Sequence, residues 1–189
     1  QVHLIGIPCP GMTSRQGQPL AKCEACTHAD PLIYDELLGN LQPDPSPSDG
    51  NDRFADVLEM EGRSLEERRE FFSAAYARCI RCYACREVCP CCTCRECFVD
   101  QLAQGWQGKQ NSVAENRFYN LTRLFHVGDR CIECGECERA CPSNLPLMLL
   151  NRKMIKDLDE LFATGEAGLA EHGQPALTSY DLSDREEFM

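Results

Sequence analysis

Cys79-Ile80-Arg81-Cys82-Tyr83-Ala84-Cys85-Arg86-Glu87-Val88-Cys89-Pro90 is the stretch whose reading decides the fold. It returns as Cys131-Ile132-Glu133-Cys134-Gly135-Glu136-Cys137-Glu138-Arg139-Ala140-Cys141-Pro142. Both read C-x2-C-x2-C-x3-C-P, so eight thiols recur at matched spacings and each run closes on proline. Thiolates spaced in this way wrap an iron–sulfur cluster, because two intervening residues let successive sulfurs converge on one centre. The x3 step throws the fourth cysteine away from its own loop, and in the two-cluster pattern that cysteine ligates the other centre. The spacing therefore predicts one 4Fe–4S cluster on Cys79, Cys82, Cys85 and Cys141, and a second on Cys131, Cys134, Cys137 and Cys89. Such crossing ties the two halves together and couples the metal to folding. Ile80 and Ile132 hold matching positions and are expected to shield the clusters from water.

Seven cysteines remain: Cys9, Cys23, Cys26, Cys91, Cys92, Cys94 and Cys97. Cys91, Cys94 and Cys97 form another C-x2-C-x2-C, and Cys23 and Cys26 form C-x2-C. Four of the seven would hold a third metal, which by sulfur count is an iron–sulfur cluster or zinc. Unliganded thiols are the remaining reading. Cys23, Cys26, Cys94 and Cys97 resemble two zinc knuckles, but the gap between the pairs far exceeds the usual roughly 15–20 residues. Cys9, boxed between Pro8 and Pro10, is a further candidate.

Fifteen cysteines in 189 residues also fit a disulfide framework, but the count is odd and the spacings match metal ligation. A reducing compartment, the cytoplasm, follows. No run approaches the about 18 apolar residues of a membrane span, and no charged-then-apolar leader is visible. The chain opens on Gln1 with an apolar run already under way, which points to a processed or missing start. A net charge of −11 argues against nucleic acid, whose phosphates attract lysine and arginine. It suits a basic or mixed protein surface as partner, or solubility alone. No glycine-rich phosphate loop or nucleophile elbow is present, so no nucleotide or flavin site is expected.

In chain order, residues 1–41 form a cysteine-containing amino-terminal segment: a short buried strand over 1–7, then a short helix from Pro31 to Leu41 with Ile33, Leu37, Leu38 and Leu41 at helical spacing. Residues 42–52, turn-rich and without apolar residues, read as a linker. The main domain spans 53–163. Ser64-Leu65-Glu66-Glu67 is a capping box opening a helix to Arg78, with Leu65, Phe71, Phe72, Ala75 and Tyr76 as its stripe. Ser112-Val113-Ala114-Glu115 is a second box, starting a helix to about His126 that Gly128 stops. His126 suits the helix dipole there, and His28 reads as a polar loop residue rather than a ligand. Trp106 and Tyr119 read as core, and Arg81, Arg86, Arg95 and Glu96 as a solvated face or a docking face. A helix over Leu147–Phe162 packs through Leu147, Leu150, Met154, Leu158 and Leu161. Residues 164–189 form an extended tail.

The twin motifs resemble the two-cluster 4Fe–4S ferredoxin-like module, over roughly residues 65–163. The continuation Cys141-Pro142-Ser143-Asn144-Leu145-Pro146-Leu147-Met148 into a helix resembles iron–sulfur subunits of larger redox complexes, among them heterodisulfide-reductase-like, F420-type or other hydrogenase, and formate-dehydrogenase assemblies. The resemblance implies an α+β fold: a ferredoxin-like dicluster core elaborated with helices. It also implies a non-catalytic subunit relaying single electrons between flavin-, hydrogenase- or formate-dehydrogenase-type partners in a hetero-oligomer. The extension Cys91 to Cys97 and the Cys9, Cys23, Cys26 region depart from a simple ferredoxin. They also lack the CCG signature of heterodisulfide-reducing subunits. Two rivals stand beside the relay: a metal-stapled scaffold, and an enzyme that uses the extra cysteines for thiol chemistry.

Overall fold

The computed structural model describes residues 2–26, 28–41, 52–101, 103, 105–167 and 175–177. The expected linker, apart from Asp52, and most of the expected tail lie outside the described residues. The architecture is α+β, with helices dominant. Short helices α1 (Ala21–Glu24) and α2 (Ala55–Glu61) precede α3 (Leu65–Ala77). One-turn α4 (Ala84–Glu87) follows within the first motif, then α5 (Val113–Val127) with a 3-10 turn over Gly128–Arg130. One-turn α6 (Glu136–Arg139) belongs to the second motif, and α7 (Leu147–Phe162) closes the bundle. The long helices form the frame, α5 touching both α3 and α7, while α4 and α6 lie side by side and α6 also meets α7. Among the described residues the two-stranded sheet of β1 (Ile5–Gly6) and β2 (Glu36–Leu37) lies in the amino-terminal segment.

That segment departs from the sequence pattern twice. The strand near the start is short and largely exposed, with Ile5 and Ile7 facing solvent. The expected helix over 31–41 is instead a bend leading into β2, which pairs parallel to β1 in the register Ile5 to Glu36. The backbone groups of β1 need partners. The Leu38 amide donates to the Gly6 carbonyl at 2.8 Å, and just before the strand the Asp35 carboxylate accepts from the Leu4 amide at 2.8 Å. Pro31 and Gly39, the latter at φ +115°, bracket too short a piece for a helix to compete.

The capped helices form where their signals stand. Ser64 Oγ accepts from the Glu67 amide at 3.3 Å, and the Glu67 carboxylate accepts from the Ser64 amide at 2.8 Å. The buried stripe of α3 is Ala75 and Tyr76, with Phe71 and Phe72 half-buried and Leu65 exposed. At α5 only half the box forms. Ser112 Oγ accepts from the Glu115 amide at 3.3 Å, while the Glu115 carboxylate turns back to the Gly108 amide at 2.9 Å. Gly128 does not end the helix in a left-handed turn but continues at φ −57° into the 3-10 turn. Its lack of a side chain serves packing, since a Cβ there would stand 2.6 Å from Met154 Cγ. Trp106, expected in the core, is 59% exposed.

On α7 the buried face carries Leu147, Ile155 and Leu158, but also Asn151 and Arg152, and Leu161 is exposed. Arg152 and Glu133, each 2% exposed, form an ion pair. Arg152 Nε also reaches Asp56 on α2 at 3.0 Å, and its Nη2 donates to the Arg53 carbonyl. Glu133 in turn receives the Arg53 guanidinium at 2.5 Å. Taking charges out of water is costly, and only multiple good partners offset it. Removing one leaves the other exposed to that penalty. Arg152→Leu is accordingly expected to lose about 3–5 kcal/mol of stability in chemical denaturation, whereas Arg69→Ala, which breaks an exposed pair with Glu66, leaves the midpoint in place.

Candidate iron–sulfur centre

The two motif loops share one backbone course. Arg81 and Tyr83 in the first loop lie at φ +50° and +60°; Glu133 and Gly135, at the corresponding positions of the second, lie at +57° and +72°. Each loop then enters a one-turn helix, with Tyr83 and Gly135 as the N-caps of α4 and α6. Turns with left-handed residues gather N–H groups into concavities that suit anions, iron–sulfur centres among them. Left-handed residues other than glycine are strained by about 1–2 kcal/mol each and persist only where their surroundings fix them. Arg81 is fixed by donating to the carbonyls of Gly108 and Lys109, the latter at 2.8 Å. Tyr83 packs edge-on against Tyr119, with ring centroids 5.1 Å apart, and Glu133 is held by Arg152 and Arg53.

Cys79, Cys82, Cys85 and Cys141 line one cleft, three thiols from the first motif and the last thiol of the second. Cys79 and Cys141 are buried in an apolar cluster with Tyr76, Leu145 and Leu147. Helix α5 lays a polar face on this loop. Asn116 Nδ2 donates to the carbonyls of Tyr76 and Cys79 at 2.9 and 2.8 Å. Asn120 Nδ2 lies 3.8 Å from Cys79 Sγ, Tyr119 Oη lies 3.4 Å from Cys85 Sγ, and Arg123 Nη2 donates to the Cys85 carbonyl at 3.0 Å.

The second loop receives the same treatment from α7. Asn151 Nδ2 stands 3.7 Å from Cys131 Sγ and 3.9 Å from Cys137 Sγ. Cys131, Cys89 and Cys85 lie close enough to Cys137 to act on it electrostatically, as Cys91 and Cys134 do on Cys131. Burial pushes the Cys131 thiol up to about 11 and the Cys137 thiol up to about 12. Bare, these thiols hold their protons; binding a metal cation would release them. Cys89 is drawn down to about 5, first by the hydrogen bond from the neighbouring Cys92. The Arg123 guanidinium is buried, which opposes its charge, yet Cys137, Cys85, Cys92 and Cys89 around it hold its pKa above the ordinary value. One cation thus faces thiols of both motifs.

All fifteen cysteines are free thiols. Cys91, Cys92, Cys94 and Cys97 line a cavity against α5, and Cys91 Sγ donates to the Arg130 carbonyl at 2.9 Å. Cys9, Cys23 and Cys26 sit instead on the amino-terminal segment, where Cys23 Sγ accepts from the Met12 amide at 3.3 Å. Among the described residues, no group of three or more His, Cys, Asp or Glu stands in the arrangement of a single-ion site. Ile80 and Ile132, expected as shields, are 59% and 43% exposed; apolar cover comes from Tyr76, Leu145 and Leu147. No role beside the thiols was read from the sequence for Asn116, Asn120, Asn151 or Arg123. The signal available was their spacing within apolar helix faces, with Asn116, Asn120 and Arg123 recurring every three or four residues along α5.

Residues 126–145 match a family model described as a 4Fe–4S binding domain. This stretch takes in all of the second motif and marks it as a 4Fe–4S binding segment. The chain is also similar to the F420-dependent formate dehydrogenase subunit beta of Methanocaldococcus jannaschii, at 37% identity over 106 residues. The match covers 55% of this chain and 26% of that relative, so the chain spans about a quarter of the relative's length.

Asn116 ties the end of α3 to α5 directly beneath the first loop. Asn116→Leu orphans the Cys79 carbonyl, while the Tyr76 carbonyl keeps the Cys79 amide at 3.1 Å. The expected loss of roughly 1–3 kcal/mol is readable as a lowered denaturation midpoint under anaerobic conditions.

Proposed function

We propose that the chain holds two 4Fe–4S clusters, on Cys79, Cys82, Cys85 and Cys141 and on Cys131, Cys134, Cys137 and Cys89, in a ferredoxin-type module. It works as the electron-transfer subunit of an oxidoreductase complex. The observation that carries the reading is the paired loop backbone, with a cleft in which the last cysteine of one motif meets the first three of the other. When bound, each cluster accepts and returns one electron. The chain's own residues set the terms of that exchange. Asn120 and Asn151 direct amide N–H groups toward ligand sulfurs, and Arg123 places a fixed cation among thiols of both sets. Donors and cations favour the more negative, reduced state and raise the potential. Tyr76, Leu145 and Leu147 keep water from Cys79 and Cys141 of the first site.

Similarity to a formate dehydrogenase subunit favours a formate-dehydrogenase-type assembly over a hydrogenase-type one. The complex is then a hetero-oligomer in the cytoplasm. No described helix is long and apolar enough to cross a membrane. The scaffold reading predicts clusters that cannot be reduced at accessible potentials. An anaerobic redox titration followed by EPR is expected to show at least two one-electron centres; full iron content with no reducible signal would overturn the relay. In the same titration Asn120→Ala lowers the potential of the first centre and Asn151→Ala that of the second, each with iron content unchanged.

A further inference from the structure

The two-cluster reading employs eight thiols and leaves Cys91, Cys92, Cys94 and Cys97 without a task. All four line a single cavity of about 280 Å³ beside α5. None is in a disulfide; Cys94 is exposed and the other three are half-buried. The same cavity is lined by Arg123 and Arg130, and the Nε of each is buried without a hydrogen-bond partner. Asp129 lies 3.7 Å from Arg130 Nε, beyond hydrogen-bonding range. Arg86, by contrast, is already neutralised by Glu87 and Asp100 at 2.7 and 2.8 Å. Buried donors without acceptors are rare in native proteins. The two residues that carry them line one thiol-lined cavity, which favours an occupant that is anionic, accepts hydrogen bonds and binds sulfur.

Zinc would be held by four sulfurs at about 2.3 Å and brings no hydrogen-bond acceptor of its own. An iron–sulfur cluster spans the wider space, and its own sulfides accept from guanidinium N–H groups. We propose that Cys91, Cys92, Cys94 and Cys97 hold a third 4Fe–4S cluster, with Arg123 and Arg130 donating to its sulfur atoms. Cys9, Cys23 and Cys26 do not line this cavity and take no part in it. The Cys92 amide donates at 3.1 Å to the carbonyl of Cys89, a ligand of the proposed second cluster, and Arg123 also donates to the Cys85 carbonyl at 3.0 Å. The third centre therefore abuts the other two, and exposed Cys94 brings it to the surface, where a partner's redox group can approach.

The proposal rests on the two-cluster reading only for its baseline. Elemental analysis of the anaerobically purified full chain is expected to give about twelve irons and twelve sulfides, four of each per cluster. The double variant Cys94→Ala/Cys97→Ala drops to about eight irons and loses one EPR component, while Cys23→Ala keeps twelve. Alkylation of the native wild-type protein, which does not depend on a variant folding, leaves Cys91, Cys92, Cys94 and Cys97 unmodified. About eight irons in the wild type with those thiols alkylated would sink the proposal. So would one zinc per chain that the double variant loses, or an iron count that the double variant leaves unchanged. Failure of the two-cluster reading shows up separately, as fewer than about eight irons in the double variant.

Discussion

The buried pairing of Arg152 with Glu133 is the contact on which the second loop depends. Glu133 occupies a left-handed conformation that a glutamate does not choose unaided, and it stays there because its carboxylate is anchored. The anchor is itself gathered from several elements: Arg152 from α7, Asp56 from α2, and Arg53 just before it. Lys22 and Glu166 extend the network to the surface. The first loop obeys the same rule with different groups, Arg81 reaching carbonyls of residues 108 and 109. Both loops are thus held in shape by polar clamps from distant parts of the chain. An apolar core alone could not impose a positive φ on a charged residue.

Helices α5 and α7 divide the work of facing the loops. Each contacts its loop through a side chain that a hydrophobic stripe would exclude: Asn116, Asn120 and Arg123 on one, Asn151 and Arg152 on the other. A wall that must meet sulfur ligands has to supply donors, whereas a wall that only excludes water does not. The helix inserted between the motifs is therefore part of the site rather than a spacer. Tyr119 joins both purposes, closing the aromatic packing against Tyr83 and Phe98 while its hydroxyl meets Cys85.

What was legible in the sequence follows from this. Cysteine spacing, the Ser64 capping box and the full extent of α7 were readable because each is a local signal with one physical cause. The inner faces of α5 and α7 were not, since periodicity equates polar with exposed and so sends a buried asparagine to the surface. The stretch 31–41 failed for the opposite reason. Its apolar spacing was helical, but the backbone of residues 4–6 claimed it, and a nonlocal demand leaves no trace in a local pattern. Ile80 and Trp106 were misjudged by assuming that large apolar residues near a site turn inward.

At the position where the first loop carries Tyr83, the second carries Gly135. The space so left is taken by Leu20, whose Cδ1 stands 2.5 Å from where a Cβ would lie, and Lys22 fastens the same segment to the Ile132 carbonyl at 3.1 Å. One loop carries its own lid within the motif; the other borrows a lid from more than a hundred residues away. Thermal breathing therefore acts on the two unequally. Cys82 of the first loop already stands exposed to water and small oxidants, whereas the cover over Gly135 in the second opens when residues 20–22 lift, a motion that leaves the loop itself undisturbed. The two halves of a near-repeat thus differ in kinetic accessibility, through one missing side chain.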